Sequence, residues 1–111
     1  MKLTGPSQAA LEEIVRRIVQ IAQPEKIILF GSAARGEMGR DSDLDLLVVK
    51  TGPVHRRKLA GDIYMQLGDV DYPVDVIVVT PGDIERYKHS HALVIAPAIR
   101  EGKVIYDAAA V

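Results

Sequence analysis

Two carboxylates interrupt an apolar stretch of this chain and constrain its fold more than any other feature. The stretch from Lys26 to Lys50, KIILFGSAARGEMGRDSDLDLLVVK, holds two apolar runs on either side of a glycine turn, and the second run carries Asp43 and Asp45. Residues i and i+2 of a strand lie on one face, so these carboxylates point the same way, with Cα atoms roughly 6.6 Å apart. The pattern therefore predicts two strands joined through a turn, with both carboxylates placed to share a bound cation.

Helices are expected on both sides of this stretch. A stripe of apolar residues at spacings of three and four predicts a first helix, which Pro24 ends. The residues of that stripe are Leu11, Ile14, Val15, Ile18 and Ala22. A second helix is expected from the basic run at 55–58 to Gly68. A third helical stretch begins near Thr80, is kinked or divided at Pro97 and ends at Gly102.

Short apolar runs between the helices predict the strands of one sheet. The expected strands are 27–30, 43–49, 74–79 and, at an edge, 103–106. We therefore expect an α+β fold, with a mixed sheet of three to four strands flanked by helices. A chain of 111 residues is the size of one domain, which we place at 1–111.

A third carboxylate, Asp75, interrupts the apolar run at 74–79. A buried carboxylate without a partner is costly, so its presence in a strand requires an explanation. If this strand lies beside the one that carries Asp43 and Asp45, all three carboxylates converge. Oxygen ligands of this kind suit Mg²⁺ or Mn²⁺, which keep water and substrate phosphates in their remaining positions.

The glycine turn offers a phosphate site next to these carboxylates. A strand that feeds a helix through Gly31 and Ser32 leaves backbone N–H groups and the positive end of the helix dipole facing outward. Phosphate binds such a helix start readily, and the Ser32 hydroxyl adds a donor. Arg35 would neutralise further phosphate charge if the helix presents it to the site.

Composition excludes several other classes of function. A net charge of −1 does not favour nucleic acid or an anionic membrane as partner, and no apolar run approaches the ~18 residues of a membrane span. The absence of cysteine fits a reducing compartment, and we expect a cytoplasmic protein. Arg16 and Arg17 are interpreted as a solvated helix face. The basic run at 55–58 lacks interleaved aromatic residues, so a helix start or a partner-facing patch is favoured over RNA binding.

Gly31-Ser32, separated by ten residues from Asp43-Leu44-Asp45-Leu46, resembles the signature of the DNA polymerase beta-like nucleotidyltransferase superfamily. The longer run FGSAARGEMGRDSDLDLLVV is similar to that of the minimal nucleotidyltransferases, or MNT proteins. The resemblance implies the nucleotidyltransferase fold. It also implies that Asp43, Asp45 and Asp75 are the catalytic, metal-binding triad, with Gly31 and Ser32 on the nucleotide phosphates. Many MNT proteins have arginine directly after Gly-Ser, whereas this chain has Ala33, with Arg35-Gly36 matching further on.

The resemblance also implies a partner. Many MNT proteins are antitoxins of HEPN ribonuclease toxins, and they transfer AMP from ATP to a tyrosine of the toxin. Larger relatives hold the acceptor with an additional domain, so here we expect the acceptor on another protein, within a homo- or hetero-oligomer. Two alternatives stay open. In the first alternative, the chain is an antitoxin that neutralises its partner by binding alone. In the second, it is the catalytic subunit of a two-subunit nucleotidyltransferase that acts on a small molecule or RNA.

Overall fold

Four strands form one mixed sheet in the computed structural model, which describes residues 8–31, 34, 43–70, 72–90 and 95–110. The strands are β1 (Lys26–Phe30), β2 (Leu44–Val49), β3 (Val74–Val79) and β4 (Lys103–Asp107). Their order in the sheet is β3-β2-β1-β4. β1 runs antiparallel to both β2 and β4, whereas β2 and β3 are parallel.

Helices cover both faces of this sheet. They are α1 (Gln8–Ala22), α2 (Arg56–Gln66), α3 (Pro81–Tyr87) and α4 (Ile95–Glu101), and a 3-10 turn follows at Ala108–Ala110. α1 and α2 bury Ile14, Ile18 and Ile63 against one face, in the larger of two apolar clusters. α3 and α4 cover the other face in a smaller cluster around Leu47 and Ala98. The central strand β2 supplies side chains to both clusters, so it is buried on both sides.

The expected α+β fold with a mixed sheet is confirmed, with small shifts at the boundaries. β2 begins at Leu44, so Asp43 lies immediately before the strand rather than in it. The third helical stretch is divided, but Pro97 is not the cause. α3 ends at Tyr87, and Pro97 is the third residue of α4, where a missing N–H removes no helical hydrogen bond.

Arg17 differs from its interpretation as part of a solvated face. Its guanidinium binds Glu13 at 2.7 Å, the Gln66 carbonyl oxygen at 3.1 Å and the Asp69 carboxylate. These bonds tie α1 to the end of α2. The basic run does serve as a helix start, since His55 Nδ1 accepts from the Lys58 N–H at 3.2 Å. In the described part of the chain, no helix is long and apolar enough to cross a bilayer.

Candidate active site

The parallel pairing of β2 with β3 places Asp45 and Asp75 side by side. They are register partners, in neighbouring strands spaced roughly 4.8 Å apart. Register partners in a parallel pair project from the same face of the sheet. Both residues belong to the face covered further along by Leu47, Val49 and Val79, and Asp45 is half-buried whereas Asp75 is exposed. Two of the three predicted carboxylates therefore meet at one edge of the smaller core.

Gly31 closes the other side of Asp45. It follows β1, whose last residue Phe30 is the antiparallel partner of Asp45. Gly31 has a φ of +73°, and a Cβ built on it would overlap Asp45 Oδ2 and lie 3.3 Å from Asp45 Cγ. Only glycine combines this left-handed backbone with so close an approach to the carboxylate. The Ala34 N–H donates to the Gly31 carbonyl oxygen at 3.1 Å, which closes a turn at this point.

Asp43 lies close enough to the Asp45 carboxyl to act on it electrostatically. Burial raises the pKa of the Asp45 carboxyl above its usual value, and the charges of Asp75 and Asp43 raise it further. Burial likewise raises the pKa of the Tyr72 phenol, with a smaller effect from Asp43. The three carboxylates thus crowd negative charge at one place, which is unfavourable unless a cation joins them.

Asp75 has a partner that sequence reasoning missed. The Tyr64 hydroxyl, on α2, donates to Asp75 Oδ1 at 3.0 Å and accepts from the Val76 N–H at 2.7 Å. Burial is the largest cause of the raised pKa of Tyr64. The backbone hydrogen bond with Val76 lowers this pKa, whereas the hydrogen bond with Asp75 and the charges of Asp75 and Asp43 raise it. Nothing local in the sequence pairs a helical tyrosine with a strand carboxylate eleven residues later, so no sequence signal could have found this contact.

The donor set fits a hard divalent cation. Carboxylate oxygens from Asp43, Asp45 and Asp75 are the ligands that Mg²⁺ and Mn²⁺ prefer. Among the described residues, no group of three or more His, Cys, Asp or Glu side chains is arranged so that it could hold a metal ion by itself. An open site is what Mg²⁺ uses with nucleotides, because one or two carboxylates bind it and substrate phosphates and water complete its shell.

Ser32 and Arg35, predicted to contact the nucleotide phosphates, lie outside the described residues, and so does the expected short helix around them. The structure therefore brings together Gly31, Asp45 and Asp75, with Asp43 in electrostatic range. Their assignment to phosphate and metal binding stays a prediction.

Comparison with known proteins supports the fold that positions these groups. No curated protein matches the sequence. A toxin–antitoxin crystal structure with AMP-PNP is similar at a TM-score of 0.57 and 22% identity, over 86% of this chain and 73% of that one. The complex of a tri-AMPylated Shewanella oneidensis HEPN toxin with an MNT antitoxin gives a TM-score of 0.55 at 19% identity, over 93% and 74% of the two chains. At these identities the likeness shows a shared fold.

A third solved structure is that of a Sulfolobus solfataricus protein assigned to the nucleotidyltransferases. It has a TM-score of 0.54 at 20% identity and is covered over 93% of its own length, with 95% of this chain matched. The family model of the nucleotidyltransferase domain matches residues 10–103, which include Asp43, Asp45, Asp75 and the glycine turn beside them. The glycine turn packed on Asp45, the adjacent Asp75 and this match together establish that the chain belongs to the nucleotidyltransferase domain family.

Proposed function

We propose that this chain is a Mg²⁺-dependent adenylyltransferase that moves AMP from ATP to a tyrosine hydroxyl of a HEPN-type toxin and acts as the antitoxin of that toxin. The observation that carries the proposal is the register pairing of Asp45 with Asp75, with Gly31 packed on the Asp45 carboxylate. Carboxylates in this arrangement would hold a divalent cation next to a turn that would bind phosphates.

The reaction is a substitution at phosphorus. The tyrosine oxygen forms a bond to the α-phosphorus of ATP, the bond from that phosphorus to the bridging oxygen of the β-phosphate breaks, and pyrophosphate leaves with the electron pair. The phenol gives up its proton to solvent water. Mg²⁺, when bound, supplies charge neutralisation on the phosphates. Asp43, Asp45 and Asp75 would hold it.

The protein's own groups align the reactants. Gly31 lets the backbone approach both Asp45 and the incoming phosphates without a side chain between them. Phe30, the strand partner of Asp45, contributes apolar surface beside the carboxylate. Positioning and charge neutralisation account for most of the catalysis that such a transfer requires.

The choice of ATP and of a toxin as acceptor is supported by the structural neighbours. One is a toxin–antitoxin complex with AMP-PNP, and another contains a tri-AMPylated HEPN toxin bound to an MNT antitoxin. Both share the fold of this chain over 86% or more of its length. We infer that the partner is a HEPN-type protein.

The test is the mass of that partner after incubation with this chain, ATP and Mg²⁺. We expect an increase of one or more AMP units, which is lost when the metal is chelated and in the Asp45→Asn variant. Asp62→Asn is the matched control, because Asp62 lies on α2 in an ion pair with Lys58, away from the site. An unchanged mass increase with Asp45→Asn would show that the carboxylate has no metal role.

The same variants separate catalysis from binding. If an Asp43→Asn, Asp45→Asn double variant neutralised the toxin at wild-type strength without ATP, neutralisation would be binding alone. CTP, GTP and UTP in place of ATP define the base preference. Transfer to a small molecule or RNA, with no label on the partner, would indicate the catalytic subunit of a different two-component enzyme.

A further inference from the structure

The Tyr64 phenol connects α2 with the free side of the sheet. β3 is an edge strand of the sheet, whose order is β3-β2-β1-β4. Alternate N–H and C=O groups of this strand therefore point away from β2. The Val76 N–H donates to the Tyr64 oxygen at 2.7 Å, and the Val76 carbonyl oxygen lies 3.4 Å from it. These contacts anchor the phenol on β3 directly beside Asp75.

The same hydroxyl donates to Asp75. A phenol keeps its proton at neutral pH, so Tyr64 uses its O–H on Asp75 Oδ1, at 3.0 Å, while its lone pair receives the Val76 N–H. The 3.0 Å bond is shorter than the 3.4 Å contact with the Val76 carbonyl oxygen, which makes the carboxylate the preferred acceptor. Because the phenol is fixed by the backbone, its O–H is a fixed reference for the Asp75 side chain.

We propose that Tyr64 is a positioning residue that holds the Asp75 carboxylate by Oδ1 and so orients it for a divalent cation bound with a nucleoside triphosphate. The proposal rests on the proposed function, since it takes Asp75 as a ligand of that cation. A carboxylate without this bond turns about its χ angles and loses entropy when a cation binds it. The bond removes that cost in advance, as hydrogen bonds to metal-ligating carboxylates do elsewhere.

Core packing does not explain the tyrosine. The Tyr64 residue is 41% exposed, and its neighbour Ile63 provides the buried contact of this helical turn. A phenylalanine at 64 would keep the ring and lose only the hydroxyl with its hydrogen bonds, each of which contributes modestly to folding. Tyr64→Phe therefore removes the orienting bond with a small loss of stability.

The test measures binding of Mn²⁺ in the presence of AMP-PNP, by the electron paramagnetic resonance signal of free Mn²⁺. Wild type, Asp75→Asn, Tyr64→Phe and Ile63→Val are compared below their unfolding temperatures. Ile63→Val is the matched control: it lies next to Tyr64 on α2 and also lowers stability, but leaves the hydroxyl in place.

We expect Tyr64→Phe to weaken Mn²⁺ binding by about 10-fold, the lower end of effects of outer-shell partners. Ile63→Val is expected to bind Mn²⁺ like wild type. Equal affinity in Tyr64→Phe and wild type would overturn the positioning role and leave the proposed function standing. If Asp75→Asn binds Mn²⁺ as well as wild type, Asp75 is not a ligand, and the metal site and the role of Tyr64 are both wrong. A loss in Ile63→Val equal to that in Tyr64→Phe would reduce the effect to stability and also overturn the proposal.

Discussion

At the scale of single residues, the site depends on what is absent from position 31. A carboxylate packed against backbone leaves no room for a Cβ, and the φ of +73° at Gly31 excludes most other residues as well. Gly52 has a similar φ of +89° but nothing within 4 Å of an added Cβ. Substitutions at these two glycines therefore distinguish the effect of backbone strain from the effect of contact with the site.

Gly31→Ala is expected to lower AMP transfer by about 100-fold, because moving a reacting group by ~1 Å has effects of that size. Gly52→Ala carries the same left-handed strain, ~1–2 kcal/mol, yet should transfer AMP at the wild-type rate. The measurement is the initial rate of AMP incorporation into the partner for folded samples of both. Equal rates in Gly31→Ala and Gly52→Ala would show that the contact with Asp45 has no role in the reaction.

At the scale of elements, α2 connects the site with the rest of the fold. It presents Ile63 to the larger core, Tyr64 to Asp75 and its last turn to Arg17 on α1. An exposed Gly61 nevertheless weakens this helix, since a Cβ there would meet nothing within 4 Å.

Gly61→Ala should stabilise the protein by about 1 kcal/mol, the difference in helix propensity between glycine and alanine. The exposed position leaves the packing unchanged, so AMP transfer should also be unchanged. Urea unfolding checks this through a higher midpoint at an unchanged slope. An unchanged midpoint would show that Gly61 does not destabilise α2 by the expected amount.

The junction of α1 with α2 is expected to respond to acid. Bonds from Arg16 and Arg17 lower the pKa of Glu13 from its usual 4.5 to about 2, and Arg17 also lowers the pKa of Asp69. A carboxyl with a lowered folded pKa stabilises the protein above its unfolded pKa and loses that effect as the pH falls through the folded value. The contribution of this junction to the free energy of unfolding should therefore decrease as the pH falls from about 4.5 to 2.

Arg17→Met tests this expectation through melting temperatures measured across that range. The variant should melt below wild type at pH 7, and the difference should narrow toward pH 2. Arg16→Met is the control: Arg16 pairs with Glu13 at 2.6 Å, but among the described contacts only Arg17 reaches the end of α2. A difference that is constant with pH would show that Arg17 acts through packing alone.

At the scale of the whole molecule, β2 joins the two apolar clusters and carries the site. Leu46 is fully buried in the larger cluster and Leu47 in the smaller one, on opposite faces of the same strand. Since adjacent residues of one strand belong to both clusters, neither is expected to unfold without the other. The position of Asp45 then depends on the fold as a whole.

Leu46→Ala and Leu47→Ala should each cost about 2–5 kcal/mol, the range for large-to-small changes in a core. Both should unfold in a single transition with the wild-type urea slope, followed by circular dichroism and by tyrosine fluorescence. Separate transitions in Leu47→Ala, with α3 and α4 lost first, would contradict a single cooperative unit.

The sequence alone determined the order of helices and strands, the position of the glycine turn and the three carboxylates. Apolar periodicity and misplaced charges are local signals, and the sequence places Asp43 and Asp45 two residues apart at the start of an apolar run. The last helical stretch is divided as predicted, but Pro97 was wrongly given as the cause, because proline is tolerated in the first turn of a helix.

Only the tertiary structure decided what lies next to the carboxylates. The parallel register puts Asp75 beside Asp45, the close approach of Gly31 follows from the pairing of β1 with β2, and the Tyr64 hydroxyl arrives from a helix. Register and helix docking are set by the packing of both cores, over contacts between residues far apart in sequence. The chain therefore encodes the groups of the site locally and their arrangement only through the complete fold.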